Sequence, residues 1–138
     1  MITINYLAVL VAAIGSMILG AIWYGPLFGK MWSNLMGWGA MTPEQLAEKK
    51  KSAGKGYMGM FVCSLIMAYV TAWVVELAGA TDLVAGKMVG FWLWLGFVAT
   101  VSYGSVLWEG KSKKLWALNN GYNLLNLVMY GAIFALWQ

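Results

Sequence analysis

The chain has no histidine and no arginine, one cysteine, two prolines and five acidic residues among its 138. Without histidine, the commonest general base and the commonest metal ligand are both missing. A lone Cys63 excludes a disulfide framework and any CxxC pair for metal or redox chemistry. These absences leave no nucleophile–base pair and no metal-ligand set, so the expectation is a protein without enzymatic activity, cofactor or metal. A membrane enzyme acting through Tyr or Lys is the residual case. Charge is scarce as well: 10% of residues are charged and 62% are hydrophobic, against roughly a quarter and half in soluble domains.

What is there is apolar run. Four stretches are long enough to cross a hydrocarbon core of ~30 Å, which takes about 20 helical residues: Ile4 to Leu27, Tyr57 to Leu77, Met88 to Leu107 and Leu115 to Trp137. The composition therefore predicts a single all-α integral membrane domain over residues 1–138, a bundle of four transmembrane helices. The net charge of +4 does not indicate nucleic acid, because the lysines are grouped by connection and not spread over one face. Lys30, Lys49, Lys50, Lys51 and Lys55 fall between spans one and two, and Lys111, Lys113 and Lys114 between spans three and four. Only Lys87 falls in the remaining connection. By the positive-inside rule the first and third connections are cytoplasmic and both termini face out. The start "MITINYLAVL" has no basic n-region, so the first run reads as a retained span.

Tryptophan prefers the headgroup level, and this topology sets Trp23, Trp32, Trp108 and Trp116 at the inner interface. It sets Trp73, Trp92, Trp94 and Trp137 at the outer one. Trp38 is left over in "KMWSNLMGWGAM", which reads either as a short segment on the inner surface or as an irregular loop tucked under the bundle. A cytoplasmic helix is predicted over about 42–53, with Thr42 as N-cap, Pro43 at the first position and Gln45 closing a capping box. Glu44 and Lys49 to Lys51 suit opposite ends of its dipole. The lysine run reads as a solvated, topology-setting stretch, with docking of anionic lipid or a partner as the other reading.

"WYGPLFGK" (23–30) closes the first run, and its Gly25-Pro26 bends or ends that helix. Its "YGPLFGK" recurs as "YGSVLWEGK" (103–111), and spans two and four both open on Gly-Tyr. This suggests two parallel helical-hairpin repeats, with Tyr24 facing Tyr103 across an axis along the membrane normal. "WYGPLFGKMW", "GFWLWLGFVATVSYGSVLWEGK" and "NNGYNLLNLVMYGAIFALW" together resemble a family of small bacterial membrane proteins known as domain of unknown function 1761. The resemblance covers essentially the whole chain. It implies a four-span protein of the bacterial inner membrane and brings no activity, substrate or catalytic residue with it.

Small residues recur every fourth position as Ala8, Ala12, Ser16 and Gly20 in span one and as Gly96, Thr100 and Gly104 in span three. Ser64, Ala68 and Ala72 continue the theme in span two. Such stripes permit close helix packing, within the bundle or between copies of the chain. In span four, Asn119, Asn123, Asn126 and Tyr130 share a face, with Asn120 pointing elsewhere. A buried unpaired amide is costly in hydrocarbon, so this face turns inward, as an interhelical ladder or as a ligand or ion site. Tyr24, Ser102 and Tyr103 lie at matching depth, which gives a candidate polar pocket open to the cytoplasm. Glu76, the one acid within a span, sits at its outer end near Asp82. It either reaches the outer headgroups, caps a loop or couples protons.

The function expected from these residues is a small helix-packing membrane component, homo-oligomeric or joined to a partner membrane protein, with lipid as its other partner and no nucleic acid. A transporter or channel for a small neutral or cationic solute is the alternative.

Overall fold

The computed structural model describes residues 1–138 and consists of helices and the turns between them. Helix α1 runs Tyr6–Ile22, opened by Asn5, whose side chain accepts from the Ala8 N–H at 3.1 Å. At Trp23–Leu27 the helix widens into a π turn, and the Phe28 N–H donates to the Trp23 carbonyl, five residues back, at 2.9 Å. Pro26 within the turn has no N–H for the usual four-residue bond, so the register shifts instead of continuing. Phe28 then leaves helical geometry, and α2 occupies Gly29–Leu35. Glycine is required at position 29, where a Cβ would lie 2.8 Å from the Tyr24 carbonyl oxygen. Gly37, at φ 78°, turns the chain into a short 3-10 segment, Trp38–Ala40.

Helix α3 runs unbroken through Pro43–Leu77, 35 residues. Its capping box is complete: Thr42 Oγ1 accepts from the Gln45 N–H at 3.2 Å, and the Gln45 side chain accepts from the Thr42 N–H at 3.0 Å. The separate helix expected over 42–53 and the second span are therefore one element. No proline interrupts 44–77, and glycines at 54 and 56 lower helix propensity by only about 1 kcal/mol each. Lys49 to Lys51 consequently sit in mid-helix and complement no helix end, contrary to the dipole reading.

Helix α4 (Leu83–Leu93) starts five residues ahead of the expected third span, capped by Asp82, which accepts from the Ala85 N–H at 2.9 Å. A second π turn, Trp94–Ala99, leads directly into α5 (Thr100–Trp108). Helix α6 (Lys113–Leu136) begins at Ser112, whose hydroxyl accepts from the Lys114 and Leu115 N–H groups.

The core joins Ala8, Val9 and Ala12 of α1 to Ala68, Ala72 and Val75 of α3 and to Leu127, Tyr130, Phe134 and Ala135 of α6. Helices α4 and α6 approach until their backbones touch. A Cβ at Gly86 would lie 2.6 Å from that of Ala135, one at Gly90 would lie 2.6 Å from the Leu127 carbonyl carbon, and one at Gly131 would lie 2.8 Å from the Gly86 carbonyl carbon. The packing stripe expected in span three is thus displaced. Gly96 and Thr100 are exposed, nothing lies within 4 Å of a Cβ at Gly96 or Gly104, and Gly86 and Gly90 make the close contact instead. Ala8, Ala12 and Ser16 are buried, and Gly20 faces Tyr122, whose hydroxyl is 3.3 Å from where a Cβ would be.

Only 23 of 138 residues are buried, and Ile14, Ile18, Ile66, Val70, Phe97 and Val101 are among the large apolar side chains left outside. Water-soluble monomers rarely leave so many large apolar side chains outside, since their contiguous apolar patches stay within a few hundred Å². Three helical stretches are long and apolar enough to cross a membrane: Tyr6–Leu27, Pro43–Leu77 and Leu83–Trp108. Helix α6, diluted by its asparagines, is not among them and is instead the most enclosed helix, with nine buried residues.

Candidate functional site

Helix α6 brings most of the polar side chains together, and its neighbours grip it at the end where Lys113 starts it. The two π turns contribute in the same way. Trp23, first residue of one, donates its indole N–H to the Leu118 carbonyl at 3.0 Å. Trp94, first residue of the other, donates to the Asn120 carbonyl at 2.9 Å. Both turns open on Trp-x-Gly, as Trp23-Tyr24-Gly25 and Trp94-Leu95-Gly96. Trp94 therefore lies inside the helix assembly and not at the outer interface where the sequence set it.

Tyr24 donates to Asn119 Oδ1 at 2.8 Å and packs edge-on against Tyr122 and Trp32, with ring centres 5.5 and 5.6 Å away. Tyr103 packs against Trp116 at 5.0 Å. The two tyrosines expected to face one another thus have different neighbours, and the matching positions in the two π turns are Trp23 and Trp94.

Asn120, read from the sequence as pointing away, is 3% exposed and central. Its Oδ1 lies 3.0 Å from Ser102 Oγ, its Nδ2 donates to the Trp116 carbonyl at 3.0 Å, and Trp116 Nε1 donates to Ser102 Oγ at 3.0 Å. Ser102 has one proton for three acceptors, the others being the Val98 and Ala99 carbonyls at 2.6 and 3.3 Å.

A second cluster crosses α1, α3 and α6. Tyr122 lies 3.0 Å from Ser16 Oγ and donates to the Ser16 carbonyl at 2.9 Å. Ser16 and Ser64 hydroxyls are 3.4 Å apart, and Tyr130 donates to the Ser64 carbonyl at 3.4 Å. Small residues at 16 and 64 allow the helices to close on Tyr122, a residue that the spacing of the amides does not single out.

Asn126 is 2% exposed, and its Nδ2 reaches only the Met67 sulfur, at 3.7 Å, while its Oδ1 has no partner. Asn123 is half-buried and makes no side-chain hydrogen bond. An open cleft lies elsewhere, on the exposed first half of α3. Glu76 is half-buried beside a small recess shared with Thr3, Asn5, Phe134 and Gln138. No group of three His, Cys, Asp or Glu side chains is placed to hold a metal ion.

Apolar helices of membrane-crossing length, with polar side chains drawn inward onto one another, define a helical membrane protein. The chain belongs to the family described as "Protein of unknown function (DUF1761)", whose model matches residues 7–135. No curated protein and no solved structure matches the chain.

Proposed function

We propose that the protein is a four-span component of the bacterial inner membrane, with α6 as the fourth span and both termini outside. It acts by packing with copies of itself or with a partner membrane protein and performs no catalysis. One observation carries this reading: at the inner end, Tyr24, Ser102, Asn119 and Asn120, with Trp23, Trp94 and Trp116, bond to α6 or to one another across helices and do not stand apart around an opening. Groups so engaged act as interhelical glue, worth about 0.6 to 2 kcal/mol per contact in lipid. The broad apolar exterior supports association, since lipid or a second chain suits it equally well.

A transporter of small neutral or cationic solutes is the second reading, and Asn126 favours it. A buried amide oxygen without a protein partner is the kind of group that a water or a solute takes up. Asn123→Leu and Asn126→Leu separate the two in unfolding measurements in bicelles, run beside solute flux in vesicles. The packing reading expects no flux in either the parent or the variants, and stability within about 1 kcal/mol of the parent. Flux in the parent that either variant abolishes would overturn it in favour of the transporter.

A further inference from the structure

Charge is divided between the two ends of the helical assembly. The end holding the first and third connections carries eight lysines against Glu44, Glu48 and Glu109, net +5, and the opposite end carries Lys87 against Glu76 and Asp82, net −1. The only ion pair in the molecule is Lys111 with Glu109 at 3.5 Å. Lys30, Lys49, Lys50, Lys51 and Lys55 are exposed, and none of them has a carboxylate oxygen within 4.0 Å.

Four of these lie on the part of α3 that extends past its apolar run. That arm, 43–56, is exposed at every residue but Leu46 and Ala53. Because α3 is continuous from Pro43 to Leu77, the rise of 1.5 Å per residue sets the height of each charge above Tyr57, where the apolar run begins. Lys55 stands roughly 3 Å up, Lys51 roughly 9 Å, and Lys49 and Lys50 between about 10 and 12 Å. Glu48 and Glu44 stand higher, at roughly 13 and 20 Å. The headgroup layer is about 5 to 7 Å deep on each side, and charges interact across about 8 Å at physiological salt. The cations therefore fall within reach of lipid phosphates, and the acids fall at or beyond its limit. Gln45, Lys49, Ser52 and Lys55 recur at three- and four-residue spacing and, with Lys51 and the carboxylate of Glu48, line an open cleft of about 690 Å³.

We propose that this arm binds the phosphate headgroups of anionic phospholipid in the leaflet from which it emerges, with Lys51 and Lys55 as the main contacts. The inference rests on the membrane reading above. The cations stand nearer the membrane than the acids and form no ion pair within the protein, which is the chemistry that an anionic lipid surface complements.

Boundary-lipid measurements test it, using purified protein in vesicles of phosphatidylcholine containing a third phosphatidylglycerol, with spin-labelled versions of each lipid as probes. The parent should hold phosphatidylglycerol severalfold over phosphatidylcholine at low salt and approach parity at 1 M salt. K51Q and K55Q should each lower the preference by up to about fivefold, and K51R with K55R should keep it. Equal association of the two lipids with the parent, or an undiminished preference in the glutamine variants, would overturn the inference alone. Absence of any motionally restricted lipid would mean that the chain is not in the bilayer, and the membrane reading would fall first.

Discussion

Asn120 and Asn126 occupy one helix six residues apart, both nearly sealed from the surface, and their amides differ in what they touch. Asn120 accepts from Ser102 and donates to the Trp116 carbonyl, whereas Asn126 has only a thioether for its N–H and nothing for its oxygen. Asn120→Leu should cost on the order of 1 to 2 kcal/mol, because the Ser102 hydroxyl and the Trp116 carbonyl lose a partner together. Denaturant unfolding in bicelles reads this directly, and Ser102→Ala combined with Asn120→Leu should cost less than the sum of the two. Of the face read from the sequence, Asn126 and Tyr130 are buried, whereas Asn119 and Asn123 are half-buried. Which amides are satisfied was not legible, since that depends on Tyr24 and Ser102, which reach Asn119 and Asn120 from other helical elements. Tyr122 was hidden for a related reason: its bond to Ser16 spans 106 positions, and no local spacing encodes it.

At the scale of elements, the α4–α6 contact and the π turns explain one another. Gly86 and Gly90 lie ahead of the turn at Trp94–Ala99, and Gly96, Thr100 and Gly104 lie within or after it. A π turn admits an extra residue, which rotates the residues beyond it by roughly 100° about the axis relative to a straight helix. Gly96, Thr100 and Gly104 therefore stand on a different face from Gly86 and Gly90, one that does not meet α6, and their four-residue spacing alone does not say which way that face points. Gly90→Ala should destabilise by about 1 to 3 kcal/mol or more, because its methyl would meet the α6 backbone. Gly96→Ala, with open space around it, should be neutral or stabilise by up to about 1 kcal/mol through helix propensity. The same unfolding assay compares the two, and an equal loss from both would contradict the assigned packing face. Helix existence and the Thr42–Gln45 cap were legible because they arise from local patterns. The continuity of α3 was obscured because Lys49 to Lys51 suit the negative end of a helix that closes near 53, and Gly54 and Gly56 just beyond them are weak helix formers.

For the molecule as a whole, the +5 to −1 division of charge predicts sidedness. With Cys63 replaced, cysteines introduced near Lys50 and Lys113 should react only with reagent on the cytoplasmic side, and one near Asp82 only with reagent outside. Labelling of the Asp82 position from the cytoplasm would invert the topology. The unbroken α3 adds a mechanical consequence. A helix without a hinge transmits rotation along its full length, so arm and span move as one lever pivoting at the membrane surface. Spans accommodate a thinner bilayer by tilting, commonly by about 20°, and 14 residues of arm are roughly 21 Å long. A change in tilt of that size carries the capped tip at Thr42 about 7 Å sideways, so bilayer thickness sets where Glu44 and the lysines stand over the surface beneath them.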